Sequence, residues 1–249
     1  MSGDALLAEV IKAHGGRESW QASPELVVQV SAGGLAVAAK LQRSGLRNLE
    51  ARIATDRQRV VFTPYPRRGH RGVFDSGAVR VEAADGSVIY ERSQPRDDLA
   101  SPRRLLWWDH LDLLYFGASS LWTYMATPFI FTNTGFAVSA RDQWDEDGQV
   151  WRRLAVTFPA DVHTHSRQQV FYVGDDGLIR RHDYTAEEFG SWAKSAHYWS
   201  DHATFDGLIV PRKRRVLLRR SEGRSLSHPL LVWIDVYDVS HVSTHAQPN

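Results

Sequence analysis

The sequence predicts a mainly β (α+β) fold built on one large, strongly curved antiparallel sheet, and three observations predict it. Short segments of alternating polarity, about eleven in all, run along most of the chain between Gly-, Ser-, Asp- and Arg-rich connections. Four Asp-Gly pairs, at Asp85-Gly86, Asp147-Gly148, Asp176-Gly177 and Asp206-Gly207, separate such segments; this dipeptide is a strong hairpin signal. One block, from Leu105 to Ala126, breaks the alternation with apolar residues too dense for a strand.

The elements follow in order. Asp4 is placed to cap a short helix whose apolar face is Leu6, Leu7, Val10 and Ile11, and Gly15 stops it. Strands are expected over Leu26 to Ala32, Leu35 to Leu41, Asn48 to Ala54 and Gln58 to Thr63. "PYPRRGHRG" (Pro64 to Gly72) reads as a basic loop, and Val79 to Ala83 pairs with Val88 to Arg92 around the first Asp-Gly. The aromatic block predicts a helix from Leu105 to about Phe116 and a second from Leu121 to Ala126, broken near Gly117 and ended by Pro128.

Beyond it, strands are expected over Phe136 to Trp144, Val150 to Phe158, the two arms of "HSRQQVFYVGDDGLIRRHDY" (His165 to Tyr184), Ala196 to Phe205, Leu208 to Arg219 and Leu230 to Val239. No segment demands a domain boundary, so residues 1–249 read as one domain. A curved sheet leaves a concave face to be covered, and the aromatic helices are its natural cover.

Composition excludes several classes of function. The formal net charge of +1 gives no field for nucleic acid or an anionic membrane. Zero cysteines exclude disulfides, thiolate chemistry and cysteine-bound clusters. No apolar run is long enough to span a bilayer, so no membrane insertion is expected. The N-terminus lacks a basic and apolar signal pattern, and the expected compartment is the cytoplasm. Nine tryptophans point to an aromatic core or an aromatic-lined cavity.

"EVIKAHGGRESWQA" (Glu9 to Ala22), leading into "LVVQVSAGG", resembles the opening of LolA-like, or lipoprotein-carrier-like, proteins. "SDHATFDGLIVPRKRR" (Ser200 to Arg215) is similar to a second recurrent passage of that superfamily, and the Asp-Asp-Gly hairpin to the strand pair before it. The resemblance touches about a third of the chain. It implies an unclosed half-barrel of about eleven antiparallel strands over helices, with a hydrophobic cavity between. Known members carry lipids or acyl chains; with no lipobox cysteine, this chain looks most like cytoplasmic relatives of the fold.

Candidate site residues divide into four groups. On an extended strand His182 and Tyr184 share a face, and in the bulge-free register Phe171 meets them there, with Asp183 on the other face. His163 and His165 form half of a zinc or iron site if extended, with Asp161, His182 or His197 to complete it; exposed loop histidines are the plainer account, and no metal is expected.

His197, Trp199 and Asp201 share one strand face; Tyr198, Ser200 and His202 share the other, so Asp201 cannot orient His202. In the aromatic block, Trp108, Tyr115, Trp122 and Tyr124 are candidates for lining a pocket. "PRKRRVLLRR" (Pro211 to Arg220) reads as a solvated edge, and "PRRGHRG" (Pro66 to Gly72) as a weak clamp for a carboxylate or phosphate.

The expectation is binding of a hydrophobic small molecule, lipid or acyl chain, with Trp108, Tyr115, Trp122, Tyr124, Phe171, His182 and Tyr184 as ligand-binding residues. The alternative is a cofactor-independent enzyme, a cyclase, isomerase or hydrolase, using the same cavity. His182 or His197 would then be the general acid or base, with Tyr184, Asp183 or Asp201 orienting charge.

Overall fold

The computed structural model describes residues 2–42, 45–99, 101, 104 and 106–242. Its N-terminal helices α1 (Gly3–Ala13) and α2 (Gly16–Gln21) lead into β1 (Glu25–Gly33), α3 (Leu35–Ala39) and a meander: β2 (Leu49–Ala54), β3 (Arg59–Thr63), β4 (His70–Asp75), β5 (Ala78–Ala83) and β6 (Val88–Arg92). Helices α4 (Pro95–Leu99) and α5 (His110–Ala126) interrupt it. The second half supplies β7 (Ala137–Glu146), β8 (Gln149–Thr157), β9 (Gln168–Val173), β10 (Ile179–Thr185), β11 (Lys194–Phe205), β12 (Leu208–Leu218) and β13 (Val232–His241).

All thirteen described strands belong to one antiparallel sheet, ordered β6-β5-β4-β3-β2-β1-β13-β12-β11-β10-β9-β8-β7. The join is between β1 and β13, which pair from Leu26 with His241 to Gly33 with Trp233. Strands β6 and β7 are left as free edges, so the sheet is unclosed. Helix α5 packs on β3 to β6, while its Tyr124 carbonyl accepts from Arg214 on β12. The sheet thus curls round α5. No described helix is long and apolar enough to cross a membrane.

Sequence and structure part at several places, each with a physical reason. Leu35 to Leu41 alternates like a strand, yet Leu35–Ala39 is helical. Three of its five residues are alanine, the best helix former, and Gly34 at φ +134 turns the chain beside Leu231. A strand also starts at His70, inside the expected loop. It pairs on both sides at Gly72, where a Cβ would stand 2.6 Å from the Tyr65 ring.

The α1 cap is Ser2, whose hydroxyl accepts from Ala5 N at 3.2 Å, and Asp4 lies in the first turn. Gly117 does not break the aromatic helix; instead it lets α5 approach the side chains of Leu46 and Phe62. That helix is N-capped by Asp109, which forms a capping box with Asp112; the expected start at Leu105 lies outside the described residues. Pro211 to Arg220 is no edge. Strand β12 is central, paired with β11 and β13.

Candidate functional site

The inner face of β9 to β12 is polar where a core would be aliphatic, and a bulge sets it up. Ile179 pairs with Val173 and Arg181 with Tyr172, so Arg180 is the extra residue. The offset puts Ile179, His182 and Tyr184 on the inner face together. His182 stands opposite Phe171 on one side and His197 on the other. The His182 and Phe171 rings stack at 4.2 Å.

Asp183 lies on the outer face instead, where Arg181 donates to it at 2.7 Å and Tyr172 at 2.8 Å. Asp201 leaves the His197 row: its φ is +57, it is exposed, and it pairs with Lys213 at 3.3 Å. Neither aspartate is therefore placed to orient His182 or His197.

Two tautomers follow from the network. Gln169 donates its Nε2 to Thr164 Oγ1 at 2.8 Å and to Ser166 O at 2.7 Å, so its Oε1 accepts from His182 Nε2. His182 Nδ1 is then a buried acceptor, unpartnered among the described residues. Burial pushes the His182 pKa well below the ordinary range, with His165 and Arg214 adding to it. Burial does the same to His197, with Arg214 next, so both rings are neutral.

His165 belongs to a different chain of bonds. Glu188, an acceptor only, sits 3.0 Å from His165 Nδ1, so that nitrogen carries the proton. His165 Nε2 faces Tyr124 Oη at 2.7 Å and Ser120 Oγ at 3.1 Å. Ser120 gives its own proton to Phe116 O, which leaves the Tyr124 hydroxyl to donate to His165. Tyr184 Oη closes the series 3.2 Å from Tyr124 Oη. Burial raises both phenols above their ordinary range, so they stay protonated. The result is a continuous relay: Tyr184, Tyr124, His165, Glu188.

Tyr184 ends this relay at a cleft. A cavity of about 430 Å³ lies between α3, α5 and β10 to β13, lined by Leu35, Lys40, Phe116, Phe189, Trp192 and Val232 among others. An apolar pocket of about 50 Å³ adjoins it, with Phe62, Leu121, Tyr124 and Ile234 in its wall. Phe116, Tyr184 and Val232 line both spaces. Leu35 and Trp192 are exposed. A larger polar trough of about 1360 Å³ lies across the outer face of β7 to β10. Its Asp183 is held by Arg181 and Arg219, as on a solvated sheet face.

The residues expected to line a pocket fall into three places. Tyr124 and Tyr184 are on the walls. Trp108, Tyr115 and Trp122 are not: Trp108 packs behind Phe116 and Phe189 at 5.1 and 4.9 Å. Tyr115 Oη lies 2.9 Å from His163 Nδ1, and Trp122 Nε1 donates to Ala54 O at 2.9 Å. These three hold α5 to its surroundings. Phe171, His182 and His197 are buried outside the lining of either space.

His163 and His165 reach different partners, and among the described residues no group of three or more metal-ligating side chains is disposed to hold an ion. Pro66 to Gly72 contributes nothing to the cleft lining. Phe189, Trp192, Ser120 and Glu188 were not anticipated as site residues. Glu188 and Phe189 sit in a 3₁₀ turn, Glu187–Phe189, a segment without periodicity.

Solved structures match this chain along nearly its whole length. A DUF1329 family protein from Desulfovibrio piger superposes with a TM-score of 0.56 at 13% identity, covering 98% of this chain and 95% of that one. A LolA superfamily protein from Nitrosomonas europaea gives 0.55 at 9% identity, covering 98% and 94%. The fold is LolA-like. A putative outer membrane lipoprotein-sorting protein domain from Vibrio parahaemolyticus gives 0.53 at 10%, again covering 98% and 94%. No family model matches the sequence, and neither does any curated protein. At such identities the shared property is the LolA-like half-barrel, not its cargo.

Proposed function

We propose that this LolA-like protein binds a hydrophobic small molecule, lipid or acyl chain in the cleft between α3, α5 and β10 to β13. The observation that carries the reading is the cleft itself: about 430 Å³, within the size range of ligand pockets, walled mainly by apolar and aromatic groups. The Vibrio parahaemolyticus structure, described as a putative lipoprotein-sorting domain, supports an apolar cargo. Apolar burial would drive affinity, at roughly 25 cal/mol per Å² before ordering costs.

Native mass spectrometry of freshly purified protein tests this, with Ala193→Trp as the partner variant. Ala193 is buried in the cleft wall, and an indole there fills the space. Co-purified or added apolar ligand should be retained by the wild type and lost by the variant. Retention unchanged in a folded variant would remove the cleft as the binding site.

A second reading is favoured by one specific observation, the relay from Tyr184 to Glu188. Tyr184 stands at the cleft wall with its proton directed inward through Tyr124 to a histidine that a carboxylate orients, the arrangement of a general base. This reading makes the protein a cofactor-independent cyclase, isomerase or hydrolase. It moves the acid–base role from His182 and His197 to Tyr184 and His165. Under it, His165→Gln abolishes turnover while ligand retention survives; under the binding reading, no turnover exists to be lost.

A further inference from the structure

Arg214 stands on the inner face of β12 with 1% of its surface exposed. Nη2 donates to Tyr124 O at 3.1 Å. The guanidinium lies 3.9 Å from the Trp199 ring centre and 5.1 Å from that of Tyr124. Among the described residues its Nε and Nη1 have no partner, and neither has the indole Nε1 of Trp199, its cross-strand neighbour on β11.

Other buried guanidiniums are treated differently. Arg181 has Asp183 and Glu146, and Arg104 has Asp109 and Asp112. Among the described residues no carboxylate pairs with Arg214. Burial brings its pKa down to about 9, which leaves it charged at neutral pH. Ring faces offset part of the cost of burying that charge, but a buried cation normally has a counter-charge.

The void that Arg214, Trp199, Tyr124, His14 and Thr127 border measures about 10 Å³, close to the space of one small guest. Arg214 and Trp199 offer it only donors. His14 has nothing to spare: its Nδ1 is 3.1 Å from Ile209 O, and its Nε2 accepts from Ile179 N at 3.2 Å. The open valences are thus N–H groups beside a positive charge. Thr127 gives its proton to Thr123 O and keeps an acceptor oxygen, so a water could satisfy the N–H groups while leaving the charge unanswered. An anion answers the N–H groups and the charge together.

We propose that Arg214 and Trp199 form an anion site behind the Tyr124 wall, taking a single monovalent anionic group. Two sources supply that chemistry. One is the carboxylate head of an amphipathic ligand whose apolar body occupies the cleft, a refinement that rests on the ligand-binding reading. Its route is short: Tyr124 borders both the inner pocket and the void, and Ile234, paired with Arg214 across β13, lines the pocket. Turning the Tyr124 ring joins the two spaces. The other source is a free halide-sized ion.

Titration calorimetry with laurate and with methyl laurate separates these sources, alongside thermal unfolding in chloride, bromide or gluconate at constant ionic strength. Wild type and Arg214→Met are compared; an apolar residue of similar length in place of an uncompensated buried cation is commonly tolerated. If a ligand head binds, wild type prefers laurate by about tenfold or more and Arg214→Met by less than about twofold. If a free ion binds, the wild-type Tm rises in halide over gluconate and the variant's does not.

Equal affinity for acid and ester, together with a Tm indifferent to halide, overturns the anion site and leaves the cleft reading standing. Failure of both chains to bind, with a halide-responsive Tm, sinks the cleft reading instead. Should Arg214→Met not fold, the wild-type comparisons decide on their own.

Discussion

Mild acid should destabilise this protein well above the pH at which carboxylates titrate, and His14 gives the effect a magnitude. His14 is the C-cap residue of α1, and its ring ties the helix to two strands, bonding to Ile209 O through Nδ1 and accepting from Ile179 N through Nε2. Protonation would turn Nε2 into a second donor facing a donor. Burial holds the pKa down to about 4, against about 6.5 in the unfolded chain. At pH 5 the unfolded state therefore carries nearly a full proton here and the folded state about a tenth of one. Stability is complete above the unfolded value and falls as pH drops through it; by pH 5 His14 alone removes about 2 kcal/mol.

His182 and His197 push in the same direction, whereas Asp112 and Asp183, raised by burial, push against it. The difference between wild type and His14→Gln cancels those common contributions. Urea unfolding followed by tryptophan fluorescence at pH 7.5, 6.5, 5.5 and 5 should show the wild type losing about 2 kcal/mol more than the variant across the window. Parallel pH profiles for the two proteins would refute the assignment of His14 as a buried, neutral tie.

Three further outcomes are expected. Phe171→Ala, which removes the ring stacked on His182, should cost about 3 to 5 kcal/mol in urea unfolding. Gly72→Ala would place its Cβ 2.6 Å from Tyr65 and 2.8 Å from Leu114 and should cost about 2 kcal/mol, although alanine normally suits a strand better than glycine. Asp112→Ala removes half of the capping box and leaves Arg92 and the buried Arg104 short of a carboxylate; the thermal transition should fall by the equivalent of about 3 kcal/mol.

What the sequence made legible was local, and what it hid was long-range. Each Asp-Gly turn and most strands could be read because hairpin chemistry and period-two burial are encoded within a few residues. Helix α3 was missed because alternation at Leu35 to Ala39 and alanine propensity compete within one turn of chain. The face of Arg214 could be stated, but not its burial: a run of six cations within nine residues reads as surface until β12 is known to be central. The wall residues Phe116, Phe189 and Trp192 come from separate segments, and no spacing links them. Tyr184 was readable because it shares a strand face with His182; the partner that gives it chemistry, His165, is set by a loop whose path the fold alone determines.

Tyr124 makes these features one system. Its hydroxyl is committed to His165 and Tyr184 on the cleft side. Its carbonyl accepts from Arg214, and its ring packs edge-on against His197 at 4.8 Å. Any occupant of the inner pocket touches the phenol that completes the relay. Any group drawn to Arg214 from that pocket must first turn the same ring, breaking its two hydroxyl contacts and exposing His197. A single ligand therefore cannot span the cleft and the cationic chamber without turning that ring. A ligand confined to the outer cleft leaves the relay whole, whereas one that reaches Arg214 disconnects Tyr184 from His165. On this geometry deep binding and acid–base work are alternatives, and a ligand held by its acidic head would sit in a protein whose relay is open.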